Sequence, residues 1–224
     1  MRTVAIVPAK RFATAKRRLE GALPDGARRA LAEAMLGDVL TALRRVAAID
    51  ELLVVSADPD ARRIAAACGA RALDEPAGGG LDRAVARAAG LARELGAARA
   101  LCVAGDCPLL DPLELQALLE APRAAERFAA IVPDRHGTGT NGLLLSPPDA
   151  LQPRYGPGSC ARHLELARAA GLSAELVPLA SLALDVDTPD DLASLRERLA
   201  ARPGGAARTR AALERLECAT PLLR

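Results

Sequence analysis

Short apolar runs alternate with longer, helix-like segments along the first half of the chain. The apolar runs, which we predict to be strands, lie at residues 4–8, 51–56, 70–73 and 101–104. The predicted helices lie at residues 27–46, 59–68 and 81–95, with a fourth after Asp111. Strands that are apolar throughout are typical of a parallel sheet covered on both faces. The alternation therefore predicts a three-layer α/β sandwich with a mostly parallel central sheet.

The pattern becomes less regular after residue 121. Further strands are predicted at residues 129–133, 142–146, 175–178 and 183–186, and further helices at residues 160–170, 189–199 and 206–217. The Arg-Pro-Gly-Gly stretch at residues 202–205 is typical of a linker. We therefore expect one domain over residues 1–200, followed by a linker and a C-terminal helix or tail over residues 201–224.

The charge balance and the cysteines restrict the possible partners. The chain has 30 basic and 28 acidic residues, and this balance argues against nucleic-acid and membrane-surface binding. Its 5 cysteines are odd in number and match no zinc spacing, so reduced thiols are expected. No signal-peptide core or membrane-spanning apolar run is apparent in the sequence. We therefore expect a soluble, cytoplasmic protein.

Asp106 is the first candidate functional residue. It follows the apolar run at residues 101–104, and the next helix already has its own start signals in Asp111, Pro112 and Glu114. Asp106 is therefore not needed as a helix cap. Open α/β sheets bind their ligands just beyond the carboxyl ends of the strands, and this places Asp106 in a ligand site. The alternative is an ordinary polar loop residue.

Asp185 and Asp187 form a second candidate. On a strand they would point to the same side, and hard carboxylate oxygens suit Mg²⁺ or Mn²⁺. A simple capping role is the alternative, but Thr188 and Asp191 already form a capping-box pattern for the next helix. With Asp106 as a third carboxylate at another strand end, we predict a metal site.

Three loops could bind anions. The loop after the first strand carries 5 cations at residues 10–18, which could bind a triphosphate and stabilise departing pyrophosphate. It lacks the glycines of a P-loop or a dinucleotide fingerprint. The loop at residues 137–141 combines two glycines with threonine hydroxyls, and Ser159 could cap a helix whose N-terminus binds an anion. A solvated charged loop, a plain turn and a structural His163 are the alternatives.

Several segments together resemble one enzyme family. They are VPAK at residues 7–10, AKRRL at 15–19, GDCPLL at 105–110, GTGTN at 137–141, YGPGS at 155–159 with His163, and LDVDTPDDL at 184–192. In this order they resemble the phosphoenolpyruvate/2-phospho-L-lactate guanylyltransferases of coenzyme F-420 biosynthesis, which are related to the molybdenum-cofactor guanylyltransferase. The resemblance covers residues 1–200 and implies a Rossmann-like sandwich of the nucleotide-diphospho-sugar transferase type.

The resemblance implies a reaction, site residues and an assembly. The reaction is Mg²⁺-dependent transfer of GMP from GTP to a small phosphorylated acid, with phosphoenolpyruvate favoured over 2-phospho-L-lactate. Its implied residues are Asp106, Asp185 and Asp187 for metal, Lys10, Lys16, Arg17 and Asp82 for the nucleotide, and Thr140, Asn141, Gly156 and Ser159 for the acid. Lys16 and Asp106 would be catalytic. A homodimer is also implied.

Two departures from the family pattern and two rival functions remain. Asp82 stands where the family usually has asparagine, which puts guanine preference in question, and Tyr155 stands where it often has phenylalanine.

The first rival function is another nucleotidyltransferase or a GT-A-type sugar-nucleotide enzyme, since paired aspartates at a strand end also bind sugar nucleotides. The second is a non-catalytic nucleotide-binding protein, and three neighbouring carboxylates argue against it because their mutual repulsion has a cost.

Overall fold

The computed structural model describes residues 1–75, 78 and 80–219 of the 224-residue chain. Its strands are β1 (Thr3–Pro8), β2 (Glu51–Val55), β3 (Arg71–Leu73), β4 (Arg99–Val103), β5 (Phe128–Pro133), β6 (Thr140–Ser146) and β7 (Ser173–Leu176). Its α-helices are α1 (Asp25–Leu43), α2 (Pro59–Ala67), α3 (Gly80–Glu94), α4 (Pro112–Glu120), α5 (Ser159–Ala169), α6 (Pro189–Ala201) and α7 (Ala207–Ala219). Two short 3-10 helices, Phe12–Thr14 and Arg17–Leu19, lie in the loop after β1.

The strands form one sheet in the order β3-β2-β1-β4-β6-β5-β7. Only β6 runs against its neighbours β4 and β5, and the other pairs within the described residues are parallel. The predicted mostly parallel sheet is therefore confirmed. The reversal of β6 has one consequence for the site. It places the beginning of β6 at the edge where β1, β4 and β5 end.

Helices cover both faces of the sheet, as the fully apolar strands require. One face of β1, β2 and β4 packs with residues of α1, α2 and α4 in a single apolar cluster. The opposite face packs against α3, and farther along the sheet against α5. The three-layer α/β sandwich is confirmed. A separate cluster joins the outer side of α1 to α6 and α7, with Leu31, Leu195 and Leu213 among its buried members.

The C-terminal helix α7 is anchored to α1 by a carboxylate. Asp38 accepts hydrogen bonds from the backbone N–H groups of Arg208, at 3.1 Å, and Thr209, at 2.7 Å. These amides lie in the first turn of α7, where helical N–H groups lack intrahelical partners. The predicted helix in this region is confirmed, and it packs on the same cluster as α1 and α6.

Two local predictions are wrong. Residues 183–186, predicted as a strand, lie outside the sheet, and their apolar members Leu184 and Val186 pack with α1 and α6 instead. Asp111 caps α4 as expected, accepting from the N–H of Leu113 at 2.9 Å. Glu114 does not complete a capping box, because it instead accepts from the backbone N–H of Ser181 at 3.0 Å.

All 5 cysteines lie in the described part of the chain and carry free thiols. No helix among the described residues is both long enough and apolar enough to cross a bilayer.

Candidate active site

A cleft of about 790 Å³ lies at the carboxyl edge of the sheet, where the loops after β1, β4 and β5 meet the start of β6. It is lined by nearly all of the predicted site residues: Lys10, Lys16, Arg17, Asp106, Thr140, Asn141, Gly156, Ser159, Asp185 and Asp187. Segments distant in the sequence therefore converge on one site. Asp82 is the exception, since Leu81 lines the cleft and Asp82 is not among the described lining residues.

The loop after β1 is held in place by the connection between β2 and α2. Asp58 accepts from the N–H of Phe12 at 2.8 Å while it also caps α2, and Ser56 donates from its hydroxyl to the carbonyl of Ala9 at 2.7 Å. Burial opposes the charged form of Asp58, but the backbone N–H groups of Phe12, Asp60 and Ala61 outweigh it and lower the pKa of its carboxyl. The first part of the loop, from Ala9 to Phe12, is thereby fixed.

Lys16 bridges two of the predicted metal-binding carboxylates. Its ammonium lies 2.8 Å from Asp187 Oδ1 and also donates to Asp106 Oδ2. The backbone of Lys16 is left-handed, with φ of 58°, and its side chain is 7% exposed. Burial disfavours the charged form, but Asp106 and Asp187 outweigh it and raise the pKa of Lys16. The cleft therefore contains a permanent cation between two anions.

Asp185 and Asp187 reach the cleft although their segment is not a strand. Leu184 and Val186 alternate with them and are completely buried, and the N–H of Val186 donates to the carbonyl of Asp106 at 3.3 Å. Asp185 and Asp187 therefore lie on the same side, as predicted, but for a different reason. Their apolar neighbours are buried in the core between α1 and α6, and this burial, rather than strand pairing, turns both carboxylates outward.

The two aspartates have opposite pKa shifts. Burial and the neighbouring charge of Asp106 raise the pKa of Asp185, although Asn141 Nδ2 donates to Asp185 Oδ1 at 3.0 Å. Burial also acts on Asp187, but there Lys16 outweighs it, with smaller contributions from Lys10 and Arg18, and the pKa is lowered. Asp187 is therefore the more firmly ionised of the two.

The described carboxylates of the cleft do not form a metal site by themselves. In the described part of the chain, no three His, Cys, Asp or Glu side chains are grouped closely enough to hold a metal ion by themselves. Mg²⁺ is usually bound by one or two carboxylates together with substrate phosphates. Asp106 and Asp187 already flank one positive charge, and hard oxygen donors of this kind suit Mg²⁺.

Two expected backbone anion sites are occupied by the protein itself. In the loop between β5 and β6, Asp134 Oδ1 accepts from the N–H groups of His136, at 3.1 Å, and Thr138, at 2.8 Å. At the start of α5 the cap is Gly158 rather than Ser159. The N–H of Ser159 donates to the carbonyl of Gly156 within the turn. The hydroxyl-bearing residues Thr140 and Ser159 line this part of the cleft.

Thr140, Ser159 and His163 form a buried hydrogen-bonded cluster beside the cleft. Ser159 Oγ lies 3.2 Å from Thr140 Oγ1, and Thr140 Oγ1 lies 3.0 Å from His163 Nδ1. His163 Nε2 accepts from the backbone N–H of Arg154 at 2.8 Å. Burial lowers the pKa of His163 to about 4, so the ring is neutral at neutral pH. The ring of Tyr155 packs edge-on against it, with centroids 5.0 Å apart.

Asp82 makes a contact that differs from its predicted role. Its Oδ1 accepts from the backbone N–H of Tyr155 at 2.8 Å, which ties the start of α3 to the segment before α5. Nucleotide binding by Asp82 stays a prediction. The contact shows how Asp82 would act on the cleft indirectly, by fixing the position of Tyr155 and of Gly156 next to it.

Sequence reasoning missed the residues that hold the loops. Asp58 has a helix-cap pattern in the sequence, with Pro59 after it, but its second contact to Phe12 depends on packing between distant segments. Asp134 has a local signal as well, since an aspartate shortly before a turn glycine, here three residues before Gly137, is typical of an Asx-turn. Both residues position loops beside the cleft, and neither belongs to a catalytic or binding motif in the sequence.

Comparison with known proteins gives concordant results. The family model described as "Guanylyl transferase CofC like" matches residues 3–198. A phosphoenolpyruvate guanylyltransferase of Conexibacter woesei is 59% identical over 216 residues, covering 96% of this chain and 97% of the relative. A 2-phospho-L-lactate guanylyltransferase of Methanothermobacter thermautotrophicus is 36% identical over 196 residues, covering 87% and 84%.

A solved structure is similar in fold. The crystal structure of a candidate nucleotide-diphospho-sugar transferase from Desulfovibrio desulfuricans G20 superposes with a TM-score of 0.77, covering 97% of this chain and 96% of that one. The sequences are 20% identical. The similarity therefore supports the predicted type of sandwich and nothing about the substrate.

Proposed function

The chain belongs to the guanylyl transferase CofC-like family, and on this premise we propose that it transfers GMP from GTP to phosphoenolpyruvate and releases pyrophosphate. One observation carries the proposal. A single cleft contains the basic loop after β1, the Lys16-bridged carboxylates Asp106 and Asp187, and the hydroxyl pair of Thr140 and Ser159. These are the groups that a triphosphate and a small anionic acceptor require.

Phosphoenolpyruvate is the proposed acceptor because the relative that is 59% identical over nearly the whole chain carries that acceptor in its name. The relative named for 2-phospho-L-lactate is 36% identical. Within the cleft, we assign acceptor binding to Thr140, Gly156 and Ser159, with Asn141 nearby. The two hydroxyls are buried to 8% and 2% exposure, and a buried hydroxyl binds an anion strongly because little water competes for it.

The proposed reaction needs no side-chain nucleophile. An oxygen of the acceptor's phosphate forms a bond to the α-phosphorus of GTP. At the same time the bond breaks between the α-phosphorus and the oxygen that bridges the α- and β-phosphates. The bonding pair leaves with pyrophosphate. The protein must hold the two phosphates in line and neutralise the charge that develops. This requirement matches a site that is rich in cations and hydrogen-bond donors.

We assign the basic loop to the triphosphate. Lys10 and Arg17 line the cleft and are exposed, so they are free to approach a large, highly charged substrate. Lys16 differs, since it is buried and fixed by Asp106 and Asp187. A cation held in this way is preorganised and stabilises charge without moving during the reaction. Lys16 is therefore the proposed catalytic cation.

Mg²⁺ completes the proposal. Asp106 and Asp187, with Asp185 beside them, would hold the ion together with phosphate oxygens of GTP, as the donor chemistry of the cleft allows. When bound, the ion would neutralise phosphate charge and orient the α-phosphorus. The protein's own part is to keep Asp187 ionised, which Lys16 does by lowering the pKa of its carboxyl against the effect of burial.

The test is pyrophosphate release from GTP and Mg²⁺ with phosphoenolpyruvate, 2-phospho-L-lactate or 3-phosphoglycerate, one acceptor at a time. We expect release with GTP and phosphoenolpyruvate, little with the other acids, and little when ATP replaces GTP. Pyrophosphate release with ATP but not with GTP would contradict the guanylyl assignment. If folded protein releases no pyrophosphate with any of the acids, another nucleotidyltransferase or a sugar-nucleotide enzyme would be favoured instead.

A further inference from the structure

His163 lies behind the two hydroxyls that face the cleft. Thr140 and Ser159 line the cleft, whereas His163 is 0% exposed and is not among the described lining residues. Among the described residues, its side-chain hydrogen bond to the cleft lining is to Thr140, at 3.0 Å from Nδ1 to Oγ1, and its ring also packs against Tyr155, another lining residue. A buried histidine in this position cannot meet the substrate directly. Its effect on the reaction must pass through its neighbours, and the hydroxyl pair is the neighbour to which it is hydrogen-bonded.

The partner of the second ring nitrogen decides which tautomer is present. Nε2 accepts from the backbone N–H of Arg154 at 2.8 Å, and a backbone amide can only donate. A neutral imidazole has one N–H and one acceptor nitrogen. With Nε2 as the acceptor, the proton must be on Nδ1. His163 therefore donates to Thr140 rather than accepting from it.

A count of protons shows what this tautomer does to the site. The Nδ1–H, the Thr140 hydroxyl and the Ser159 hydroxyl supply three protons between them, and the two contacts within the cluster use two. Whichever hydroxyl donates to the other, one hydroxyl proton remains unused, and both hydroxyls line the cleft. With the proton on Nε2 instead, Nδ1 would accept from Thr140 and both hydroxyl protons would be used internally.

We propose that His163 is a positioning residue for the acceptor. By keeping its Nδ1–H tautomer, it turns the Thr140 and Ser159 pair into a hydrogen-bond donor for an anionic oxygen, either carboxylate or phosphate, of the acceptor acid. The proposal rests on the proposed function, which places the acid at these hydroxyls. It assigns to His163 no proton transfer and no contact with substrate.

Two substitutions distinguish the contact made by Nδ1 from the contact made by Nε2. In His163→Asn the side-chain amide nitrogen takes the place of Nδ1 and can still donate to Thr140. In His163→Gln the side-chain carbonyl takes the place of Nε2 and can still accept from Arg154, but the donor to Thr140 is lost. The pair is matched, since each variant keeps one contact and loses the other.

The kinetic prediction follows from this pairing. In His163→Gln no donor from position 163 reaches Thr140 Oγ1, so a hydroxyl proton is still free but is no longer directed at the acceptor. We expect the KM for phosphoenolpyruvate to rise by about 3- to 10-fold, the effect of weakening one hydrogen bond, while His163→Asn stays within about 2-fold of the parent protein. The KM for GTP is unchanged in both variants. Equal effects of the two variants, or equal effects on both substrates, would indicate a purely structural histidine and overturn the proposal.

The tautomer is also measurable without any variant or turnover. In protein labelled with ¹⁵N at its 2 histidines, long-range ¹H–¹⁵N spectra at pH 7 should show His163 protonated at Nδ1, the signal being assigned by its loss in His163→Asn. Protonation at Nε2 would overturn the proposal.

Calorimetric titration with phosphoenolpyruvate in the absence of GTP tests the effect on binding. Weaker binding by His163→Gln alone supports it, and equal binding by all three proteins contradicts it, even if guanylyl transfer itself is not observed.

Discussion

The Lys16 ammonium lies 2.8 Å from Asp187 Oδ1, and the side chain that carries it is 7% exposed. The two residues are 171 positions apart in the chain, so the contact joins the loop after the first strand to the segment before α6. Asp106 and Asp187 together raise the pKa of the buried Lys16 ammonium, and that ammonium lowers the pKa of Asp187. The charges of Lys16 and Asp187 therefore stabilise one another.

Replacing Lys16 with methionine removes this cation while keeping most of the side-chain volume. We expect kcat to fall by about 10²- to 10³-fold, comparable to the loss of one preorganised charge-stabilising group, with a smaller change in the KM for the acceptor. Steady-state rates of pyrophosphate release measure both. Arg11→Met is the matched control, because Arg11 is an exposed cation of the same loop that is not among the described lining residues. Equal losses in the two variants would mean that only the overall charge of the loop matters.

Asp187→Asn keeps the shape of the side chain and removes its charge. We expect turnover to be lost while the circular dichroism spectrum stays unchanged, since Asp187 faces the cleft and its side chain is 45% exposed. Asp190→Asn, an exposed carboxylate in the first turn of α6, serves as the control and should retain normal activity. Near-normal activity of Asp187→Asn would remove this residue from the proposed cation site.

Asp58→Ala tests whether the loop after β1 is positioned from β2 and α2. The variant loses the cap of α2 and the contact to Phe12, so we expect it to be less stable by about 1 to 2 kcal/mol and to show a higher KM for GTP. Asp111→Ala is the matched control, because it removes the cap of α4 and an ion pair with the exposed Arg202, neither of which involves the loop after β1. A raised KM for GTP in both variants would show that the effect comes from general destabilisation.

His163 should make the stability of the protein depend on pH. Its folded pKa of about 4 lies below the ordinary value of 6.5, so the unfolded chain binds the proton more tightly and stability falls as the pH is lowered from 6.5 towards 4. The shift corresponds to roughly 3 kcal/mol for a completely buried ring. Urea unfolding at pH 7 and pH 5 should therefore show a smaller loss in His163→Gln than in the parent protein. The same loss in both would contradict the shift.

The order of the layers and most of the cleft could be predicted from the sequence. Fully apolar strands require cover on both faces, and polar residues after such strands must meet at one edge, which is why Asp106 was identified from a single strand end. The capping box of Thr188 and Asp191 was also predictable and is confirmed. These features depend on local pattern alone.

Other features depend on contacts between distant segments and could not be predicted. The direction of β6 has no local signature, because an apolar strand looks the same in either direction, yet it brings Thr140 to the cleft. Residues 183–186 have an alternating pattern, but their apolar members Leu184 and Val186 pack between α1 and α6 instead of joining the sheet. The bridge from Lys16 to Asp106 and Asp187 needs a left-handed backbone at a non-glycine residue. Metal binding by the aspartates and the homodimer remain predictions.

The most direct test of guanylyl transfer is to follow the α-phosphorus. The protein is incubated with Mg²⁺, phosphoenolpyruvate and GTP carrying ³²P at the α-position. The products are then separated, and their masses are determined by mass spectrometry. We predict that the label appears in an adduct with the mass of GMP joined to phosphoenolpyruvate, in equal amount to the pyrophosphate released. Label that remains in GTP, or that appears as free GMP without an adduct, would contradict the account.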